Sequence, residues 1–206
     1  MEQLELFDFT ATGLAAGVDE AGRGPLAGPV CAAAVILGED FDVSILDDSK
    51  KLSGESRERI APIIKEKAID YAVVFRDVDE IGRLNILGAT LDAMRECIET
   101  LAGRNDLCLV QVDGNRRPPT PSLPDLSVQT IVKGDAKIPA IMAASILAKT
   151  ERDRIMVEYD RLYPQYGFAV NKGYGTAAHR EAILRFGPCP IHRPLFLRKI
   201  LRSGQE

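Results

Sequence analysis

The chain has 206 residues, 46% of them hydrophobic, and a formal net charge of −4. That length buries a sizeable core without disulfide staples, and the absence of any run of about 18 apolar residues excludes a membrane-spanning helix. A net negative charge is the opposite of the basic excess by which many proteins grip nucleic acid over a whole face, so basic residues have to be weighed by position. Cys31, Cys97, Cys108 and Cys189 are far apart and form no C-x-x-C pair, which argues against zinc. A reduced, cytoplasmic setting is expected, and residues 1–10 lack the basic start and apolar core of a secretory signal.

In chain order, residues 14–22 (LAAGVDEAG) predict a strand running into a glycine-rich loop, and residues 30–37 (VCAAAVIL) a second, fully buried strand returning from it. Asp48-Ser49-Lys50-Lys51 is a polar turn, and Ser53 and Ser56 are candidate caps for a following helix. Residues 71–75 read as a strand. Residues 86–101 carry Leu87, Leu91, Met94, Ile98 and Leu101 at helical spacing. Residues 107–112 are a core strand ending at Asp113-Gly114, followed by a proline-rich loop and a strand at 127–132. One long helix is expected over 138–159, with Pro139 in the first turn, where proline is tolerated. Short helices are expected near 176–185 and 195–202. The pattern predicts an α/β fold, a mixed sheet flanked by helices with a helical C-terminal part. It divides as a tail at 1–13, a core at 14–162 and a helical region at 163–206.

Acids stand at the ends of three apolar runs: Asp19 and Glu20 after residues 15–18, Asp113 after 109–112, and Asp135 after 131–134. A lone acid in such a place is usually a turn-former. Several converging on one cleft would repel one another unless a cation sits between them, and hard oxygen ligands suit Mg²⁺ or Mn²⁺. Two such ions about 3.5–4 Å apart support in-line displacement at phosphorus with no histidine or cysteine nucleophile. Other readings of the acids are a glycosidase, which needs two of them and not four, and a DNA-only nuclease; a non-catalytic binding protein would lack one or more of the four.

The run Gly17-Val18-Asp19-Glu20-Ala21-Gly22-Arg23-Gly24-Pro25-Leu26-Ala27-Gly28-Pro29-Val30 resembles the signature of the type 2 ribonucleases H, ribonuclease HII. Further blocks follow in the family's order: Asp48-Ser49-Lys50-Lys51-Leu52-Ser53, Val112-Asp113-Gly114-Asn115, Lys133-Gly134-Asp135 with residues 143–149 and 152–154, Lys172-Gly173-Tyr174-Gly175-Thr176 with His179, and His192-Arg193. The resemblance spans residues 14–196. It departs from the pattern at Met142, where a smaller residue is usual, and at Pro194-Leu195-Phe196, where the family often has serine before the phenylalanine. It implies an RNase H-like fold and hydrolysis of RNA in RNA–DNA hybrids and of DNA duplexes at embedded ribonucleotides, leaving 3′-hydroxyl and 5′-phosphate ends.

By the same resemblance, Asp19, Glu20, Asp113 and Asp135 are the metal-binding, catalytic acids, and Mn²⁺ or Mg²⁺ the cofactor. Gly22, Arg23, Gly24 and Tyr174 match the family's readers of the RNA–DNA junction. A hybrid-specific enzyme must contact the 2′-hydroxyl, and glycines let backbone N–H groups approach a sugar-phosphate closely. Lys50, Lys149 and Arg193 are candidate phosphate contacts, as are Arg198 and Lys199 in a C-terminal basic run. His179 and His192 are expected to be hydrogen-bonded structural residues. In the tail, Gln3-Leu4-Glu5-Leu6-Phe7 resembles the peptide by which bacterial replication proteins dock on the DNA sliding clamp, with Gln3, Leu6 and Phe7 as its anchors.

Overall fold

The computed structural model describes residues 13–46 and 52–203. Gln3, Leu6, Phe7 and Lys50 lie outside them. Within the described residues the elements are β1 (Leu14–Ala21), β2 (Val30–Ile36), α1 (Gly54–Lys67), β3 (Asp70–Arg76), α2 (Val78–Ala102), β4 (Leu107–Asp113), β5 (Ser127–Ile131), α3 (Pro139–Leu162), α4 (Phe168–Asn171), α5 (Ala177–Phe186) and α6 (Pro194–Ser203), with short 3₁₀ turns between some of them. The five strands form one mixed sheet in the order β3-β2-β1-β4-β5. β1 pairs antiparallel with β2 and parallel with β4. This is the mixed α/β architecture the sequence predicts.

β2 explains why the sheet is a middle layer. All seven of its residues are buried, as expected of a strand covered on both faces. Ala32, Ala34 and Ile36 pack with Ala93, Met94, Cys97, Ile98 and Leu101 of α2. The alternate residues Cys31, Ala33 and Val35 pack with Ala61 and Ile64 of α1 and with Ala143, Ala144, Ile146 and Leu147 of α3. A third cluster joins Met156 of α3 to Tyr166, Phe168, Ala182, Ile183, Ile191 and Leu197, and reaches Ala27 of the β1–β2 loop. The C-terminal helices are thereby fastened beside that loop.

Helix ends follow local chemistry. Ser53 caps α1 by accepting from the Ser56 N–H, and Pro139 opens α3. α2 starts eight residues before the expected helix, at Val78. Its first turn is held by a capping box in which Asp77 and Glu80 exchange side-chain and backbone bonds. Asn85 then breaks the helix with φ 58° and ψ 169°. Its side-chain oxygen accepts from the Leu87 and Gly88 N–H groups and restarts the helix, so the hydrophobic periodicity is legible only beyond it.

Candidate active site

The parallel register of β1 and β4 creates the site. Val18 pairs with Val112, so the next residue on each strand is an acid, Asp19 and Asp113. Both lie at the carboxyl ends of parallel strands, where ligands bind in open α/β sheets. Gly17 lets the start of α3 approach β1: a Cβ there would lie 2.2 Å from the Ala140 carbonyl carbon. Asp135 sits just before α3 in a 3₁₀ turn, Gly134–Ala136, entered through a left-handed Lys133. Close packing of α3 on β1 therefore delivers Asp135 to the other two acids.

Asp19, Asp113 and Asp135 each offer an oxygen within 4.8 Å of the others. Asp113 Oδ1 accepts from the Gly134 N–H at 2.7 Å and the Asp135 N–H at 3.3 Å, which ties strand to turn. Burial, then the charges of Glu20 and Asp113, push the Asp19 carboxyl well above the usual range, against hydrogen bonds from Ser145 and the Glu20 N–H. Three carboxylate oxygens drawn this close repel one another, and they are a donor set suited to a hard divalent cation. Glu20 borders the same cleft without joining the 4.8 Å group, and its carboxylate lies 3.3 Å from Arg23.

The cleft over the acids holds about 330 Å³ and is lined in addition by Gly22, Arg57, Ser145, Lys149 and Tyr174. Tyr174 is 41% exposed, with its ring 5.5 Å from Lys149 Nζ and 5.7 Å from the Arg152 guanidinium carbon. Lys149 donates to Asp153 at 2.6 Å, and burial lowers its pKa against that partner. Arg57 and Ser145 are site-lining residues that the motif reading did not single out as substrate contacts. Ser145 carried a signal in standing four residues before Lys149 on one face of a helix; Arg57 carried none. Arg116, exposed just after Asp113, borders the far side of Glu20 with Arg23.

One expectation needs correction. Arg193 is 1% exposed and its guanidinium donates to the carbonyls of Gly22, Arg23, Pro25 and Gly28 at 2.7–3.1 Å. Four of its five N–H donors are spent inside the fold and the side chain is buried, so it does not grip a phosphate directly. Burial, then the charge of Arg152, press its pKa down to about 9. His179 and His192 are buried, as a structural role requires, and meet through their Nε2 atoms at 3.0 Å. The Cys189 N–H donates to His192 Nδ1, so His192 carries its proton on Nε2 and His179 must accept there. His179 Nδ1–H then donates to the Tyr174 carbonyl at 2.9 Å.

The sequence profile described as ribonuclease HII matches residues 16–199. The chain belongs to the ribonuclease HII family. The ribonuclease HII of Caldanaerobacter subterraneus subsp. tengcongensis is 52% identical over 190 residues, covering 91% of this chain and 76% of that one. Among solved structures, the ribonuclease H2 of Pyrococcus horikoshii superposes with a TM-score of 0.74 at 26% identity, over 94% of this chain and 99% of that one. The RNase HII of Archaeoglobus fulgidus, solved in a complex with PCNA, gives a TM-score of 0.73 at 25% identity, over 93% and 97%. Ribonuclease HII membership makes this chain a metal-dependent endoribonuclease acting on RNA–DNA hybrids. No described helix is long and apolar enough to cross a membrane.

Proposed function

We propose that this ribonuclease HII cuts both the RNA strand of hybrids and DNA duplexes at a single embedded ribonucleotide, leaving 3′-hydroxyl and 5′-phosphate ends, with Asp19, Glu20, Asp113 and Asp135 as its acids. The observation that carries the reading is the meeting of Asp19, Asp113 and Asp135 within 4.8 Å under a cleft that also presents Gly22 and Tyr174. Two bound Mg²⁺ or Mn²⁺ ions would supply an activated water and stabilise the leaving oxygen. The chain's own part is to hold and orient. Ser145 fixes Asp19 by a hydrogen bond, and the Gly134 and Asp135 N–H groups fix Asp113. Arg23 is half exposed beside Glu20 and is placed to meet a phosphate. Tyr174 offers its ring to the sugar beyond the ribonucleotide, with Lys149 beneath it. Gly22, Arg23 and Gly24 bring the backbone to the 2′-hydroxyl. The test is a DNA duplex carrying one ribonucleotide, with Mg²⁺, Mn²⁺ or chelator and an all-DNA control. Cleavage 5′ to a deoxynucleotide in the control, or none in the ribonucleotide duplex with either ion, defeats the reading. Binding without cleavage would favour a hybrid-binding protein instead.

The tail of residues 3–7 supports a second element of the reading, docking on a sliding clamp through Gln3, Leu6 and Phe7. Its support is the peptide's resemblance together with the Archaeoglobus relative's complex with PCNA. Equal clamp affinity for the intact chain and a Leu6→Ala, Phe7→Ala variant rules it out.

A further inference from the structure

Two buried arginines hold the loop between β1 and β2, and every side-chain acceptor they use there is a backbone carbonyl. Arg193 takes Gly22, Arg23, Pro25 and Gly28. Arg152 takes Ala27 and Pro29, and also Lys172 two residues before Tyr174. The Arg193 backbone N–H adds the Leu26 carbonyl at 2.8 Å. From Gly22 to Pro29 only the Gly24 carbonyl is left out of this set. Exposed loops ordinarily turn their carbonyls to water, whereas here a planar five-donor fork spans several at once.

That arrangement dictates where the N–H groups go. Each peptide in the loop is trans, and in a planar trans peptide the N–H points opposite to the preceding C=O. With the Gly22 and Arg23 carbonyls turned inward onto Arg193, the N–H groups of Arg23 and Gly24 turn outward. Both residues are exposed, whereas Gly22 is buried. Neither N–H has a protein acceptor among the described residues, unlike Leu26 and Gly28, whose N–H groups donate to Gly173 and Ile191. Two outward donors stand side by side next to Tyr174, since a Cβ on Gly24 would lie 4.0 Å from the Tyr174 ring. Adjacent N–H groups of this kind form a concavity for an anion or a hydroxyl oxygen.

We infer that Arg193, supported by Arg152, is a positioning residue for ribonucleotide selection: its guanidinium sets the peptide planes of Gly22 and Arg23 so that the Arg23 and Gly24 N–H groups face the substrate's sugar-phosphate. This rests on the ribonucleotide reading above and adds the residue that makes the loop competent for it. Lysine cannot replace Arg193, because its three donors radiate from one point and cannot reach four separated carbonyls. Freed of the fork, the Gly22–Arg23 and Arg23–Gly24 peptides can flip. Glycines on either side make that motion easy.

The experiment compares the intact chain with Arg193→Lys on a duplex with one ribonucleotide, using an all-DNA duplex as competitive inhibitor. The ratio of the competitor's inhibition constant to KM measures ribonucleotide preference. The inference expects that ratio to fall at least tenfold in Arg193→Lys, with the competitor's constant and the Mn²⁺ concentration for half-maximal activity each within about twofold. A merely structural arginine would weaken Mn²⁺ dependence and both duplexes together, or change nothing, and either result overturns the inference. Should Arg193→Lys not fold, amide exchange in the intact protein decides. The Arg23 and Gly24 amides are expected to exchange fast when free and to be protected by the ribonucleotide duplex alone. Protection already present in the free protein, or equal protection by all-DNA, overturns the inference. An intact chain with no ribonucleotide preference overturns it together with the reading it rests on, and is distinguishable because the variant is then not needed.

Discussion

Asp113→Asn is expected to make the metal-free protein more stable while destroying its activity. Two unit charges 4.8 Å apart repel by about 3 kcal/mol at an effective dielectric of about 20. Asp113 has such a neighbour in Asp135 and another in Asp19, whose pKa is raised partly by Asp113 itself. Solvent in the cleft reduces what is recovered. Asparagine keeps an oxygen for the Gly134 and Asp135 N–H groups but loses the charge assistance, a cost of about 1 kcal/mol. The net gain is about 1–2 kcal/mol, which at this chain length raises Tm by roughly 2–8 °C. The assay is thermal unfolding at pH 7.5 in chelator and again in Mn²⁺, with hybrid cleavage measured alongside. In Mn²⁺ the order should reverse, since the intact acids gain about 2.7 kcal/mol at a hundredfold excess over Kd and the variant gains less. An Asp113→Asn protein that melts below the parent in chelator, or keeps more than a tenth of its cleavage rate, refutes the account of these acids as a mutually repelling cation site.

Gly17→Ala should cost about 3 kcal/mol, because its Cβ meets the α3 backbone at 2.2 Å; an unchanged Tm would contradict the close approach of α3 to β1. The same variant should need more Mn²⁺ for half-maximal activity, as α3 carries Ser145 and follows Asp135. Tyr174→Ala should lower kcat/KM on the single-ribonucleotide duplex about ten- to hundredfold, the worth of one stacked ring, with Tm nearly unchanged because the ring is 41% exposed; equal kcat/KM would remove Tyr174 from substrate contact. The histidine pair predicts acid sensitivity. Burial, then His179, lower His192 from 6.5 to about 4. A depressed histidine pKa means that the unfolded chain binds the extra proton first, so this stability is complete above pH 6.5 and is lost as pH falls toward 4. The loss is at most about 3 kcal/mol. Denaturant titrations should show His192→Asn with a flatter decline between pH 6.5 and 4.5; parallel declines would sink the assignment.

The acids were legible because each follows an apolar run: Asp113 is the last residue of β4, Asp19 stands two residues before the end of β1, and Asp135 follows β5 in the turn that leads to α3. The parallel pairing that aligns Asp19 with Asp113 was not legible, since apolar runs specify burial and not neighbours. The break at Asn85 hid the first turns of α2 from a periodicity search, although Asp77 and Glu80 carry a capping-box spacing that sequence shows. Arg193 was misread for a different reason. Sequence records a charge but not which way it points, and a basic run at the C-terminus is usually an exposed face. A clue lay 171 residues upstream in the loop GRGPLAGP. Its two prolines lack N–H groups, and a stretch so short and so rich in glycine and proline cannot satisfy its own carbonyls by helix or ladder bonds. If such a loop is to be rigid, something from elsewhere must supply several donors at once, and guanidinium is the side chain that can. The two buried arginines are therefore a consequence of the loop's composition, and the outward N–H groups are a consequence of the arginines.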